Sequence, residues 1–164
     1  MSELTQAKLK TLLHYDGETG LFTWRVTLCN RAVKGNVAGH KGGRGYCYIG
    51  FKGKVYSAHR LAWLYVYGAF PKDDVDHING DKMDNRIKNL RDVETVINCQ
   101  NRRAARAGSK SGVMGAGWHK RLGKWAAQIR IAGKATHIGY FSTPEEAGQA
   151  YLEAKRQHHA GCTI

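Results

Sequence analysis

The residues of this chain best suited to chemistry lie between positions 75 and 103, VDHINGDKMDNRIKNLRDVETVINCQNRR. Asp76 and His77 are adjacent, and the two-residue period of a strand sends neighbours to opposite sides. One can then hold a metal while the other faces a reacting group. Carboxylate oxygens are the hard ligands that Mg²⁺ and Mn²⁺ prefer. An imidazole, with an ordinary pKa of about 6.5, takes a proton from water near neutrality. Alone, the dipeptide reads more readily as a surface turn with a capping aspartate. The asparagines change that balance: Asn89 lies twelve residues after His77, and Asn98 nine further on.

With these positions included, AHRLAWLYVYGAFPKDDVDHINGDKMDNRIKNLRDVETVINCQN resembles the motif of HNH endonucleases, the ββα-metal type of phage and intron-homing nucleases. LLHYDGETGLFTW resembles that family's opening more weakly. The resemblance implies Asp76 and Asn98 as metal ligands and His77 as general base. It gives Asn89 the task of orienting the histidine by a hydrogen bond. A divalent cation, Mg²⁺ or Mn²⁺, and double-stranded DNA are the implied cofactor and partner. His59 and Arg60 are also typical of the family, in structural or phosphate-contacting roles ahead of catalysis. Asp81, Asp84 and Asn85 read as loop formers. Arg102, Arg103 and Arg106 extend the helix that carries Asn98; they suit DNA phosphates, with a solvated helix end nearly as good an account. His158 and His159 read as surface residues.

The charge pattern points to the same partner. Lys and Arg total 26 against 13 Asp and Glu, a net charge of +13. No acid occurs from Thr19 to Lys72 or from Thr95 to Pro144, and each stretch holds nine Lys or Arg. Seven of the thirteen acids fall between Asp73 and Glu94. Basic windows of this length favour a surface facing a polyanion. No apolar run is long enough to span a membrane. The opening residues lack a signal-peptide stretch, so a cytoplasmic location is expected, in a bacterial host or phage-infected cell. The cysteines at 29, 47, 99 and 162 form no CxxC pair and read as reduced thiols, some of them buried.

Several elements must position these groups. Residues 4–14 predict a short helix, and LFTWRV a strand. Residues 30–45 predict a loop. GYCYIGF and VYSA predict a hairpin turning at Gly53. HRLAWLYVYGAF predicts a buried helix stopped by Gly68 and Pro71. VDHING and NLRDV are short strands. Asp92 or Thr95 then caps a helix running to about Ala105. Residues 106–112 are small and basic, a linker. Beyond it come three strands: a short one from Trp118, then KWAAQIRI with Trp125, Ala127, Ile129 and Ile131 on one face, then ATHIGYF. A helix follows, opened by Ser142 or Thr143 and Pro144.

Residues 112–160 resemble an AP2-type DNA-binding domain, most strongly in GKWAAQIR, IGYF and TPEEAGQAY. That resemblance implies a sheet lying in the major groove with the helix behind it. Lys120, Arg121, Gln128, Arg130 and His137 take the DNA-contacting places. Gln and Arg can read adenine and guanine edges. Leu122 stands where the family has tryptophan, and several arginines near the first strand are absent.

The expected fold is α+β: a ββα-metal HNH nuclease domain at 1–105, a linker at 106–111, and an AP2-like domain of three antiparallel strands plus a helix at 112–162. The expected function is a metal-dependent DNA endonuclease of the homing or phage type, monomer or homodimer, that nicks or cuts. The rival reading is a non-catalytic DNA-binding regulator with a degenerate HNH unit. A third, RNA binding, lacks the usual single-strand signatures.

Overall fold

The computed structural model describes residues 4–164. The chain divides into two compact units, one ending at Thr95 and the other spanning Val96–Ile164. This division falls within the expected first domain. Every sheet is small and antiparallel, a mixed arrangement of helices and strands.

The first unit opens with α1 (Gln6–Leu12), capped by Thr5, whose hydroxyl accepts from the Lys8 N–H. The helix ends sooner than its apolar stripe suggests. Leu13–Tyr15 form β1 instead, pairing with β2 (Phe22–Trp24) in the register Leu13↔Trp24 and Tyr15↔Phe22. That pairing buries the alternate side chains Leu13 and Tyr15. The Gly- and Lys-rich loop also holds two short strands, β3 (Val37–Ala38) and β4 (His40–Lys41). β5 (Cys47–Phe51) and β6 (Lys54–Ser57) form the expected hairpin. Lys52 and Gly53 turn it with φ of 52° and 73°, the left-handed pair a two-residue hairpin of matched twist requires.

α2 (Ala58–Tyr67) stops at Gly68 in the left-handed conformation (φ 85°). The buried face of this helix, Leu61, Ala62 and Leu64, joins Leu9, Leu13, Phe22, Trp24 and Ile49 in one hydrophobic core. β7 (Asp74–His77) and β8 (Leu90–Val93) pair as His77↔Leu90 and Asp76↔Arg91. Asp92 is not a helix cap: its carboxylate accepts the backbone N–H groups of Lys72 and Asp73 and ties the entry of β7 to β8.

The next helix, α3 (Thr95–Gln100), is shorter than expected. Arg102, Arg103 and Arg106 therefore lie beyond its end and not on it. Polar side chains at that end are taken by the chain terminus: Gln100 accepts from the Gly161 N–H, and Thr163 donates to Asn101. In the second unit β9 (Ala116–His119), β10 (Lys124–Ile131) and β11 (Lys134–Phe141) form a sheet with β10 central. Pro144–His158 make α4, with Thr143 and Glu146 in a reciprocal capping box. Ala127, Ile129 and Ala147 are the buried contacts between sheet and helix. Gly148 belongs there because a Cβ would sit 2.3 Å from Val113.

Candidate active site

The expected chemistry falls on β7, the loop after it, and the start of α2. Asp76 and His77 are both buried, at 6% and 4% exposure. Burying a carboxylate requires a partner. Arg91, directly across the ladder, supplies it: its Nε and Nη2 donate to Asp76 Oδ2 at 2.9 and 2.8 Å. Arg91 carries no motif signal in the sequence. Only the register of β7 against β8 reveals it.

His77 meets Asn85 across the loop, Nε2 to Oδ1 at 3.3 Å. The Asn85 amide nitrogen donates to the Met83 carbonyl, which fixes its oxygen toward the ring. An oxygen there can only accept, so Nε2 carries the proton and Nδ1 carries the lone pair. The family resemblance implies this orienting bond for Asn89. In the structure Asn89 acts at one remove. Its oxygen accepts from the Asn79 N–H at 2.9 Å, and its amide donates to the Asp84 carbonyl at 2.8 Å. The same residue's backbone carbonyl accepts from Ile78. Asn89 thus shapes the loop that carries Asn85, and Asn85 holds the imidazole. Which asparagine reaches the ring depends on the loop's path.

Two other residues fix that path. Asp84 accepts from the Asn79 amide and from Arg86 Nε, both at 2.7 Å. Arg86 and these hydrogen bonds hold the Asp84 carboxyl down at about 2. Tyr15, from the hydrophobic core, donates its buried hydroxyl to the Asn85 carbonyl at 2.7 Å. Burial pushes that phenol up to about 12, so it stays a donor. Gly20, at φ 74°, lets the first turn pass against this loop, since a Cβ would lie 2.5 Å from the Arg86 nitrogen.

The faces of the His77 ring meet His59 and Tyr46. His59 stands in the first turn of α2 with its ring 5.1 Å from that of His77 in edge-to-face contact. Tyr46 lies 5.1 Å from His59 and 5.8 Å from His77. Lys82 sits over the Tyr46 ring at 4.6 Å and donates to the Arg44 carbonyl, which anchors the strand approach. Burial, with smaller effects from His77 and Arg60, pushes His59 down to about 3. Its Nδ1 is buried without a hydrogen-bond partner. Burial also lowers His77 below its ordinary value, against the opposing pull of Asn85 and the nearby Asp76. His59 is therefore neutral at working pH. Arg60 is occupied: Nη1 donates to the Asp73 carbonyl at 3.2 Å and the guanidinium lies near the Phe70 ring.

Asn98 stands on α3. Beyond that helix, Arg103 donates to the Thr163 carbonyl and hydroxyl, and Lys155, 1% exposed, donates to the Arg102 carbonyl. On the sheet of the second unit, Gln128 and Arg130 are exposed on the face opposite the buried Ala127 and Ile129. A bulge between Ala127 and Gln128 shifts the pairing of β11. Bulges re-aim side chains, and here the His137 ring lies 4.4 Å from that of Tyr140, tilted by 48°, on that open face. His119 contacts Tyr140 from the other side at 5.0 Å. Lys120 and Arg121 are exposed in the turn after β9.

Asp76 carries hard oxygens of the kind Mg²⁺ or Mn²⁺ prefers, and among the described residues no group of three or more His, Cys, Asp or Glu side chains could hold a metal ion. The four cysteines are free thiols, Cys29 and Cys99 exposed and Cys47 and Cys162 half-buried. Among the described residues no helix is long and apolar enough to cross a membrane.

Residues 56–95, which run from β6 through α2 to the end of β8, match the family model described as HNH endonuclease. That stretch contains Asp76, His77, Asn85 and Asn89, and it marks a nuclease. A solved structure of the HNH homing endonuclease I-HmuI, concerned with DNA binding and cleavage by that enzyme, is similar at 22% identity. The likeness covers 92% of this chain and 88% of that one, with a TM-score of 0.43. Among curated proteins nothing matches.

Proposed function

We propose that this chain is a divalent-metal-dependent DNA endonuclease of the ββα-metal HNH type, with an AP2-like second unit that grips duplex DNA. The observation that supports it most is the pre-set His77: buried, and held through Nε2 by Asn85 so that Nδ1 is the nitrogen that would take a proton. On the sequence resemblance Asp76 and Asn98 would hold the cation, which would supply charge neutralisation at the scissile phosphate. His77 takes a proton from the attacking water, and Asn85 stabilises the imidazolium that results. Burial among His59 and Tyr46 keeps bulk water away and the ring plane fixed. Bond formation between water oxygen and phosphorus, with loss of the 3′ oxygen, leaves 5′-phosphate and 3′-hydroxyl ends. A single site of this kind cuts one strand at a time, so nicking by a monomer is the expected unit event; a homodimer would cut both strands. Gln128, Arg130, His137, Lys120 and Arg121 contact the duplex. Arg102 and Arg103 add to the basic character around α3, and Arg60 braces the loop before β7.

The test is supercoiled plasmid with Mg²⁺ or Mn²⁺, wild type beside His77→Ala. Nicking that needs the metal and disappears in the variant supports the proposal. Binding without cleavage by the wild-type chain would make it a DNA-binding regulator instead.

A further inference from the structure

A second site lies in the Val96–Ile164 unit, at the edge strand β9. Trp118 and Trp125 are directly opposed in the β9–β10 register, with ring centroids 5.1 Å apart and planes at 63°. Alternation puts them on the same side as Ala127 and Ile129, opposite the face of Gln128 and Arg130. Trp118 nonetheless remains 53% exposed, an unusual fate for an indole in a small domain. The two rings border an open recess of about 410 Å³, also lined by Lys110, Ser111 and Lys120. That volume lies within the range of small-ligand sites, roughly 300–1,000 Å³.

The walls select the ligand. Ser111 is spent on the fold: its hydroxyl donates to the Ala116 carbonyl at 2.9 Å and accepts from the Val113 N–H at 3.2 Å. What remains for a ligand is indole surface and two ammonium groups, in a stretch without one acid from Thr95 to Pro144. The complementary molecule carries a flat π-face and an anion a few bonds away. A nucleotide has both. In duplex DNA the base faces are stacked and hidden, so only an unpaired nucleotide can offer one. We infer that this recess holds an unpaired nucleotide of single-stranded DNA, its base stacked on Trp118 and its phosphates against Lys110 and Lys120. The inference deepens the DNA-binding reading of the second unit and does not depend on cleavage.

The test measures affinity of the full-length protein, in EDTA, for fluorescein-labelled oligo(dT) and for a duplex of equal length. Trp118→Ala should weaken oligo(dT) binding by about 5- to 150-fold, the effect of losing one base–aromatic stack. It should leave duplex binding within about twofold on the same argument, since a paired base offers no face. Trp118→Phe, which keeps a ring, should recover most of the loss. Lys110→Ala and Lys120→Ala should each lower the salt dependence of oligo(dT) binding by about one unit of slope. For Trp118→Ala, an equal loss on both ligands, or none, overturns the inference. So does tight duplex binding by a wild-type chain that ignores oligo(dT). Tighter binding of oligo(U) than oligo(dT) overturns the assignment to DNA. Failure to bind either DNA overturns the DNA-binding reading of the unit as well.

Discussion

The neighbourhood of His77 and the open face of the β9–β11 sheet use the same kinds of residue in opposite ways. Around His77 nearly every polar side chain is buried and bonded: Asp76 to Arg91, His77 to Asn85, Asn89 to Asn79 and Asp84. On the sheet Gln128, His137 and Tyr140 are exposed. A group that moves a proton must be placed before the substrate arrives, because a small misplacement is costly in rate. A group that reads DNA must exchange water for base edges, so it has to stand in water first. Internal bonding distinguishes the first region, and exposure the second.

The sharpest way to break this contrast is His77→Ala. Metal-dependent nicking should fall by about 10²–10⁴-fold, the usual contribution of a general base, while duplex binding persists. Equal nicking by variant and wild type would remove His77 from the reaction. Next in size is Asn85→Ala, which strips the acceptor from His77 Nε2. A loss of about 10–100-fold in kcat is expected, on the scale seen when a ligand's orienting partner is removed. The two asparagines then separate by readout. Asn89→Ala should chiefly lower stability, by ~1–3 kcal/mol from the backbone groups it leaves unpaired. If chemical denaturation shows no such loss, Asn89 is not the brace of this loop.

On the recognition surface, Gln128→Ala and Arg130→Ala should each weaken a preferred duplex by about 1–3 kcal/mol and leave random duplex nearly unchanged. Competition binding against both DNAs decides this. A uniform loss would mean contact with phosphates instead of bases.

The smallest effects are in pH. His59 titrates at about 3 in the fold and near 6.5 when unfolded. Its folded pKa is depressed, so the unfolded state binds the extra proton between these values. Its contribution to stability is complete above about 6.5 and declines as pH falls toward 3, by about 1.4 kcal/mol per pH unit. Denaturant midpoints of wild type and His59→Gln should converge on acidification. His77 is lowered as well, so the acid limb of the nicking rate should lie below its ordinary 6.5. A bound cation would push it in the same direction.

Local chemistry written in the sequence accounts for the hairpin at Lys52–Gly53, the stop at Gly68, the capping box at Thr143 and the alternation of β10. Each depends on residues close together in the chain: a left-handed turn, a short polar cap, a two-residue period. Asp76 and His77, and the loop that carries Asn85 and Asn89, stand out in the sequence for the same reason. The remainder needed contacts between distant residues. Arg91 is one lysine-or-arginine among 26 until strand pairing sets it opposite Asp76. Asn85 and Asn89 are indistinguishable as amides, and only the course of the loop, tied by Asp84 and Tyr15, decides which meets His77. Leu13 continues a helical stripe by pattern, yet pairing with Trp24 of β2 takes it into a strand. Propensity decides where neighbours along the chain supply the energy. Where a side chain's partner comes from elsewhere in the fold, packing and register decide.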